Sequence, residues 1–110
     1  MDLKNFQQIM QMSTQLQSRM AEMQEKLGQE RYAVSSGGGL VEATVDGKGT
    51  VVAVRIDPIA VDPADVEMLE DLVLAAVTQA QKRANEAMEV EMKRATGGLS
   101  LPGLGSLFGS

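Results

Sequence analysis

Cysteine, histidine and tryptophan are all absent from this chain, and Phe6, Tyr32 and Phe108 are its only aromatic residues. Without cysteine there is no disulfide and no thiolate, and without histidine the usual zinc ligand and the commonest general base are also missing. Metal enzymes of the thiolate or imidazole kind are therefore excluded. So few aromatics make a base-stacking platform a poor expectation. No uninterrupted apolar stretch approaches the ~18 residues of a membrane span. The start, Met1-Asp2-Leu3, leads with an acid into a glutamine-rich helical pattern rather than a basic and then apolar signal, so a cytosolic protein is expected. Positive charge is also in short supply, with 10 Lys+Arg against 15 Asp+Glu and a net charge of −5. That balance works against a strongly electrostatic nucleic-acid binder.

Glycine is plentiful, and its placement poses the first functional question. Residues 37 to 51 read GGGLVEATVDGKGTV, which could cradle a phosphate or merely turn a chain. A Walker loop needs a glycine, four residues, and then Gly-Lys-Ser/Thr. Here Gly47-Lys48 is followed by Gly49, and the position five before Gly47 is Glu42. The dinucleotide pattern GxGxxG fails too, ending on Glu42 after Gly37 and Gly39 and on Val52 after Gly47 and Gly49. The glycines read better as turns. Asp46-Gly47-Lys48-Gly49 lies between two β-rich runs, 40 to 45 and 50 to 56, a strong hairpin signal. Alternation places Val41, Ala43 and Val45 on one face of the first strand and Val52, Val54 and Ile56 on one face of the second, so one buried face per strand is expected. Residues 31 to 36, with Tyr32 and Val34 alternating, supply a third strand that ends at the reversal Gly37-Gly38-Gly39.

Helical patterns flank this β segment. Leu3, Phe6, Ile9, Met12, Leu16, Met20, Met23 and Leu27 recur every three or four residues up to Gly28, a stripe whose sevenfold repeats resemble a coiled-coil seam. Methionine on such a stripe is expected as flexible core filling, the alternative being a peptide-binding groove. A second helix is expected from Asp62, with Asp62 as cap, Pro63 at the first helical position and Asp65 completing a capping arrangement. Its stripe is Val66, Leu69, Val73, Val77, Ala80, Ala84, Met88 and Met92, and the alanines would let another helix approach closely. Helices of roughly 27 and 32 residues extend about 40 to 48 Å, longer than a compact chain of this size is wide. They are expected to lie against one another and project beyond the sheet, leaving apolar faces to be buried by self-association, most simply as a C2 dimer. The fold class is α+β: an α-β-β-β-α order over residues 1–96, with a small antiparallel sheet and two long helices. Residues 97–110, GGLSLPGLGSLFGS, form a Gly/Leu-rich tail that is either flexible or a docking segment for a partner protein through Leu99, Leu101, Leu104, Leu107 and Phe108.

The glutamine- and methionine-rich first helix, the segment GGGLVEATVDGKGTVVAVRIDP, the helix stretch DLVLAAVTQAQKRANEAM and the tail GGLSLPGLGSLF together resemble the YbaB/EbfC family of bacterial nucleoid-associated proteins. The likeness covers nearly the whole chain. It implies a tweezer-shaped homodimer whose helices project from a sheet body, and DNA as the partner. It assigns Gly37, Gly38, Gly39, Gly47 and Gly49 to turns and Asp57-Pro58 to the end of the last strand. DNA contacts would come from the helical arms, whose basic residues here are Lys4, Arg19, Lys26, Lys82, Arg83, Lys93 and Arg94. Each also reads as an ordinary solvated helix charge. Glu86, Glu89 and Glu91 interrupt the two adjacent pairs and weaken that patch. Binding carried by these residues would be dominated by phosphate contacts and weakly sequence-selective.

An enzyme is not expected, because the only clustered candidates, Glu67, Glu70 and Asp71, sit at a helix start where acids suit the dipole alone. No cofactor or metal is expected either. The alternative to DNA binding is a protein-interaction clamp or adaptor for a protein of the DNA-handling machinery, which would use the methionine stripe and the apolar tail.

Overall fold

The computed structural model describes residues 3–95. The tail expected over 97–110 lies outside them. Helix α1 spans Leu3–Gln29, and strands β1, Tyr32–Ser36, β2, Val41–Val45, and β3, Val51–Ile56, follow it. Helix α2, Val66–Ala95, comes last. The three strands form one antiparallel sheet in the order β1-β2-β3.

The core lies between α2 and the sheet. Val41, Ala43 and Val45 alternate inward from β2 and are fully buried against Ala76, Ala80 and Ala84 of α2. Those alanines stand four residues apart and therefore share one helix face. Their small side chains let the α2 backbone lie close to β2. The approach that was expected of a second helix is thus made by the sheet. Tyr32 and Val34 of β1 and Leu69, Leu72, Val73 and Val77 of α2 close the rim. Ser36 Oγ donates to the Leu72 carbonyl at 2.6 Å and ties the end of β1 to the helix.

The reversal after β1 is a short 3-10 turn, Gly37–Gly39, in which all three glycines have positive φ. An L side chain is strained there, and at Gly37 a Cβ would also come within 2.8 Å of Leu72 Cδ2. At the hairpin, Asp46 Oδ1 accepts from the N–H groups of Lys48, 2.9 Å, and Thr50, 3.0 Å. The backbone adds Asp46 N–H to the Thr50 carbonyl and Gly49 N–H to the Asp46 carbonyl. Asp46 is itself buried. With both backbone and carboxylate engaged, the turn holds one shape.

Three expectations are corrected. The first concerns β3, all six of whose residues are exposed. Val54 and Ile56 stand opposite Ala43 and Val41, on the face that α2 covers elsewhere, yet with Val52 they remain 38–45% exposed. The reason is the helix footprint: α2 packs over β1 and β2 and scarcely reaches β3. The second concerns the helix pair. Within the described residues α1 and α2 do not pack along one another; α1 buries only Leu27, and the rest of its stripe, Leu3 to Met23, is 50–76% exposed. The helix projects as an arm, so the chain measures 73 × 28 × 19 Å and its radius of gyration is 20.5 Å, against about 13 Å for a compact chain of this length.

The third correction is the start of α2. The Asp65 N–H donates to the Asp62 carbonyl, and Asp62 Oδ1 accepts from Ala64 N–H, closing a turn around Pro63 that is not continued as helix. Asp65 is the cap, accepting from the Met68 N–H at 3.2 Å, and the helix begins at Val66. Both aspartates have the chemistry of a cap. The upstream one is occupied by its own turn.

Candidate nucleic-acid interface

Charge is sorted along the molecule. Residues 57 to 71 carry six carboxylates, Asp57, Asp62, Asp65, Glu67, Glu70 and Asp71, and no lysine or arginine. They sit where β3 ends and α2 begins. Two helix starts' worth of cap and dipole chemistry accounts for part of this: Asp57 Oδ1 accepts from Ile59 N–H at 3.0 Å, and Glu67 lies in the first turn of α2. The cations of α2 come later, at Lys82, Arg83, Lys93 and Arg94, two of them in its last turn. About 1.5 Å of rise per residue separates Glu70 from Lys82 by about 18 Å and from Lys93 by about 35 Å. The acids thus gather at the start of α2, whereas Lys82 and Arg83 stand at its middle and Lys93 and Arg94 at its end, with Glu86, Glu89 and Glu91 between the two pairs.

On α1 the three cations share a side. At about 100° per residue, Lys4, Arg19 and Lys26 fall within an arc of about 60°, next to the apolar stripe rather than in it. Glu22 falls in the same arc and dilutes it. Arg19 borders a shallow groove along the helix with Gln11, Gln15, Ser18 and Glu22. The last turn of α1 is anchored to the body by the hairpin: Gly47 N–H donates to the Leu27 carbonyl at 2.8 Å. Arg31 satisfies the Gly28 and Glu30 carbonyls at 2.7 and 2.8 Å, so this cation, adjoining the arm, is spent on capping.

The side chains of the adjacent pair Lys82-Arg83 diverge. Consecutive helix residues point about 100° apart, and Arg83 turns to β1, where its Nη1 makes a long 3.4 Å contact with the Ala33 carbonyl. Lys82 turns to the hairpin. There it lines an open cleft of about 440 Å3, with Lys48 and Gly49 from the turn and Thr78, Gln81 and Asn85 from α2. Gln81 Nε2 donates to the Gly49 carbonyl at 3.0 Å and pins the turn to the helix. Lys93 stands eleven residues, three helical turns, beyond Lys82 and so shares its face, whereas Arg94 shares the face of Arg83.

Lys48, like Arg31 and Arg55, is a cation that sequence reasoning did not select. In the sequence it reads as part of a turn, and nothing local to DGKG shows that the turn packs against α2 beside Lys82. Tyr32, at the base of the arms, donates its hydroxyl to Glu30 Oε2 at 3.0 Å. Burial, the bond to Glu30, and the negative charges of Glu30 and Glu91 push its phenol above the ordinary value. It is a structural group rather than a reactive one. Among the described residues no cluster of carboxylates could hold a metal ion, and no helix is long and apolar enough to cross a membrane.

Comparison with known proteins gives the chain its relatives. The profile of the YbaB/EbfC DNA-binding family matches residues 2–99. A nucleoid-associated protein of Gluconacetobacter diazotrophicus is 47% identical over 100 residues, covering 91% of this chain and 94% of the relative. One from Moorella thermoacetica is 43% identical over 103 residues, covering 94% and 99%. Among solved structures, an uncharacterized protein from Helicobacter pylori superposes with a TM-score of 0.60 at 21% identity, covering 74% of this chain and 94% of that one, which shows a shared fold. The family is a DNA-binding one and not a family of enzymes. With its α-β-β-β-α order and its match from end to nearly end, this chain belongs to the YbaB/EbfC DNA-binding family.

Proposed function

We propose that the protein is a nucleoid-associated protein that binds duplex DNA as a homodimer, chiefly through backbone phosphates and with weak sequence selectivity. The observation that carries the reading is the uneven charge from the end of β3 through α2: six carboxylates and no cation between residues 57 and 71, then Lys82, Arg83, Lys93 and Arg94 from the middle of the helix to its end, with three glutamates among them. A polyanion is repelled from one pole and drawn to the arms, which reconciles the net charge of −5 with DNA binding. Lys4, Arg19 and Lys26, on one side of α1, add a second set of cations.

Support for a homodimer comes from exposed apolar area. The α1 stripe and the uncovered face of β3 leave Leu3, Phe6, Ile9, Leu16, Val54 and Ile56 in contact with water, far more than an isolated small domain tolerates. A second copy related by twofold symmetry can cover both at once. Weak selectivity follows from what the arms carry. Specific readout relies on arginine, asparagine or glutamine forks aligned in the major groove, or on aromatic stacking. The cations here are scattered among glutamates, and the aromatics are few. The expected place of action is the nucleoid, within the cytoplasm.

Reversing Lys82, Arg83, Lys93 and Arg94 to glutamate tests the assignment. DNA binding is expected to be lost while the sedimentation of the oligomer is unchanged. Undiminished binding by that variant rules out this patch. A partner protein retained through the 97–110 tail but indifferent to the four reversals would favour the interaction-clamp alternative instead.

A further inference from the structure

The cleft between the β2–β3 turn and α2 brings together two lysines far apart in sequence. Among the described residues, neither the Lys48 nor the Lys82 side chain has a hydrogen-bond or ion-pair partner. The nearest carboxylate on the turn, Asp46, is folded beneath it and occupied by the Lys48 and Thr50 N–H groups. On α2, Glu86 and Glu89 follow one turn beyond Lys82 and Asn85, outside the residues that line the cleft. The walls are fixed: Gln81 holds the Gly49 carbonyl, and Gly47 holds the Leu27 carbonyl of α1. Lys48 lies against the α1 terminus, its ammonium 3.8 Å from where a Cβ on Gly28 would be. The cleft thus sits where the two helices leave the body.

We propose that this cleft grips one backbone phosphate of bound DNA, with Lys48 and Lys82 supplying charge and the Asn85 side chain an amide donor. The inference rests on the DNA-binding reading above and adds the hairpin tip to it. Two lysines that line one cleft from separate, mutually pinned elements raise its local positive charge, and a cation without a protein partner gives up no competing ion pair when an anion arrives. The ligand is a phosphodiester strand rather than a small anion because the cleft is open, and because Lys93 stands on the same face of α2 about 16 Å further out, along a path that a strand can follow. Lys48 and Lys82 set the position of the backbone at the fork of the arms, and the arm cations act beyond it.

The test is a fluorescence-anisotropy salt series on a duplex with wild type, the double variant K48Q/K82Q, and R55Q. Arg55 is an exposed cation on β3, paired across the strands with Glu42 at 3.9 Å and remote from the cleft. Each phosphate contact contributes about 0.9 to the slope of log K against log salt. K48Q/K82Q is expected to lower the slope by about 0.9 to 1.8, according to whether one or both clefts of a dimer engage, and to weaken binding about 8- to 60-fold at 0.1 M salt. R55Q is expected to leave the slope unchanged although it removes the same kind of charge. Both lysines are exposed, so the thermal unfolding of the double variant should match wild type. In parallel, duplex addition should shift the backbone amide resonances of Lys48, Gly49 and Asn85. Wild-type slope and affinity in K48Q/K82Q, with wild type binding normally, would overturn the cleft and leave the DNA-binding reading intact. Failure of the wild type to bind at low salt would overturn both.

Discussion

Replacing Gly47 by alanine is expected to loosen the attachment of α1 to the rest of the protein. A Cβ built at this position would lie 2.7 Å from Glu30 Oε2, 2.8 Å from the Leu27 carbonyl oxygen and 3.0 Å from Leu27 Cδ2. The second of these is backbone and cannot rotate away. To admit the methyl, the hairpin and the end of α1 must separate, and the 2.8 Å bond from Gly47 N–H to that same carbonyl lengthens or breaks. Overpacking of this kind costs about 1–3 kcal/mol, and losing one hydrogen bond adds about 1 kcal/mol. Leu27, the only buried residue of α1, would lose part of its burial as well. A total of about 2–4 kcal/mol is a large share of the ~5–15 kcal/mol available to a domain. Gly49→Ala is the control: its φ of 84° is unfavourable for alanine, but no atom lies within 4 Å of the added Cβ, so about 1–2 kcal/mol is expected. Urea unfolding at fixed protomer concentration measures both, since association would shift the midpoint. Gly47→Ala within about 0.5 kcal/mol of wild type, or milder than Gly49→Ala, would refute the reasoning, because the usual surface variation is no larger.

Further outcomes follow from packing, capping and titration. Ala80 is fully buried against β2, so Ala80→Leu should lift α2 from the sheet and cost at least about 1–3 kcal/mol in thermal melts, whereas Leu74→Ala, at a residue 65% exposed, should stay within about 0.5 kcal/mol of wild type. Asp65→Ala should cost about 1 kcal/mol as the loss of a helix cap, and Asp62→Ala less, since Asp62 closes only the preceding turn; the reverse order would restore Asp62 as the cap. For Tyr32 the folded state holds its proton more tightly than the unfolded chain does. The unfolded state therefore binds fewer protons above pH 10, and stability should fall as pH rises through that point towards the folded value. Tyr32→Phe should flatten this alkaline decline in urea midpoints, and an unchanged slope would count against the Glu30 contact.

The order of elements was legible because each carried its own period: three-and-four spacing in α1 and α2, alternation in β1 and β2, and turn residues between them. Exposure was legible only where the covering element lay nearby. Val41, Ala43 and Val45 meet α2, but Val54 and Ile56 carry the same alternation and are scarcely covered by the described residues, since pattern reports which face is apolar and not what lies over it. The same limit governed α1, whose seam-like stripe suggested α2 as its partner although α2 spends its small-residue face on β2. The shift of the cap from Asp62 to Asp65 reflects two equivalent side chains three residues apart, a choice that local chemistry does not decide. Among the candidate DNA contacts, the sequence supplied a roll of cations but not their grouping. Adjacent Lys82 and Arg83 diverge, one to the hairpin and the other to β1, and Lys48, absent from that roll, lines the same cleft as Lys82 because the hairpin docks there.

Phosphate-dominated binding by the arms, without strong regard to sequence, is open to a direct measurement. Fluorescence anisotropy of the purified protein against two unrelated duplexes across a salt series tests it most directly. Similar affinities are expected for both duplexes, each falling linearly in log-log form with salt, with a slope that counts the contacts. A slope near zero, a large preference for one duplex that survives high salt, or no binding at low salt would contradict it.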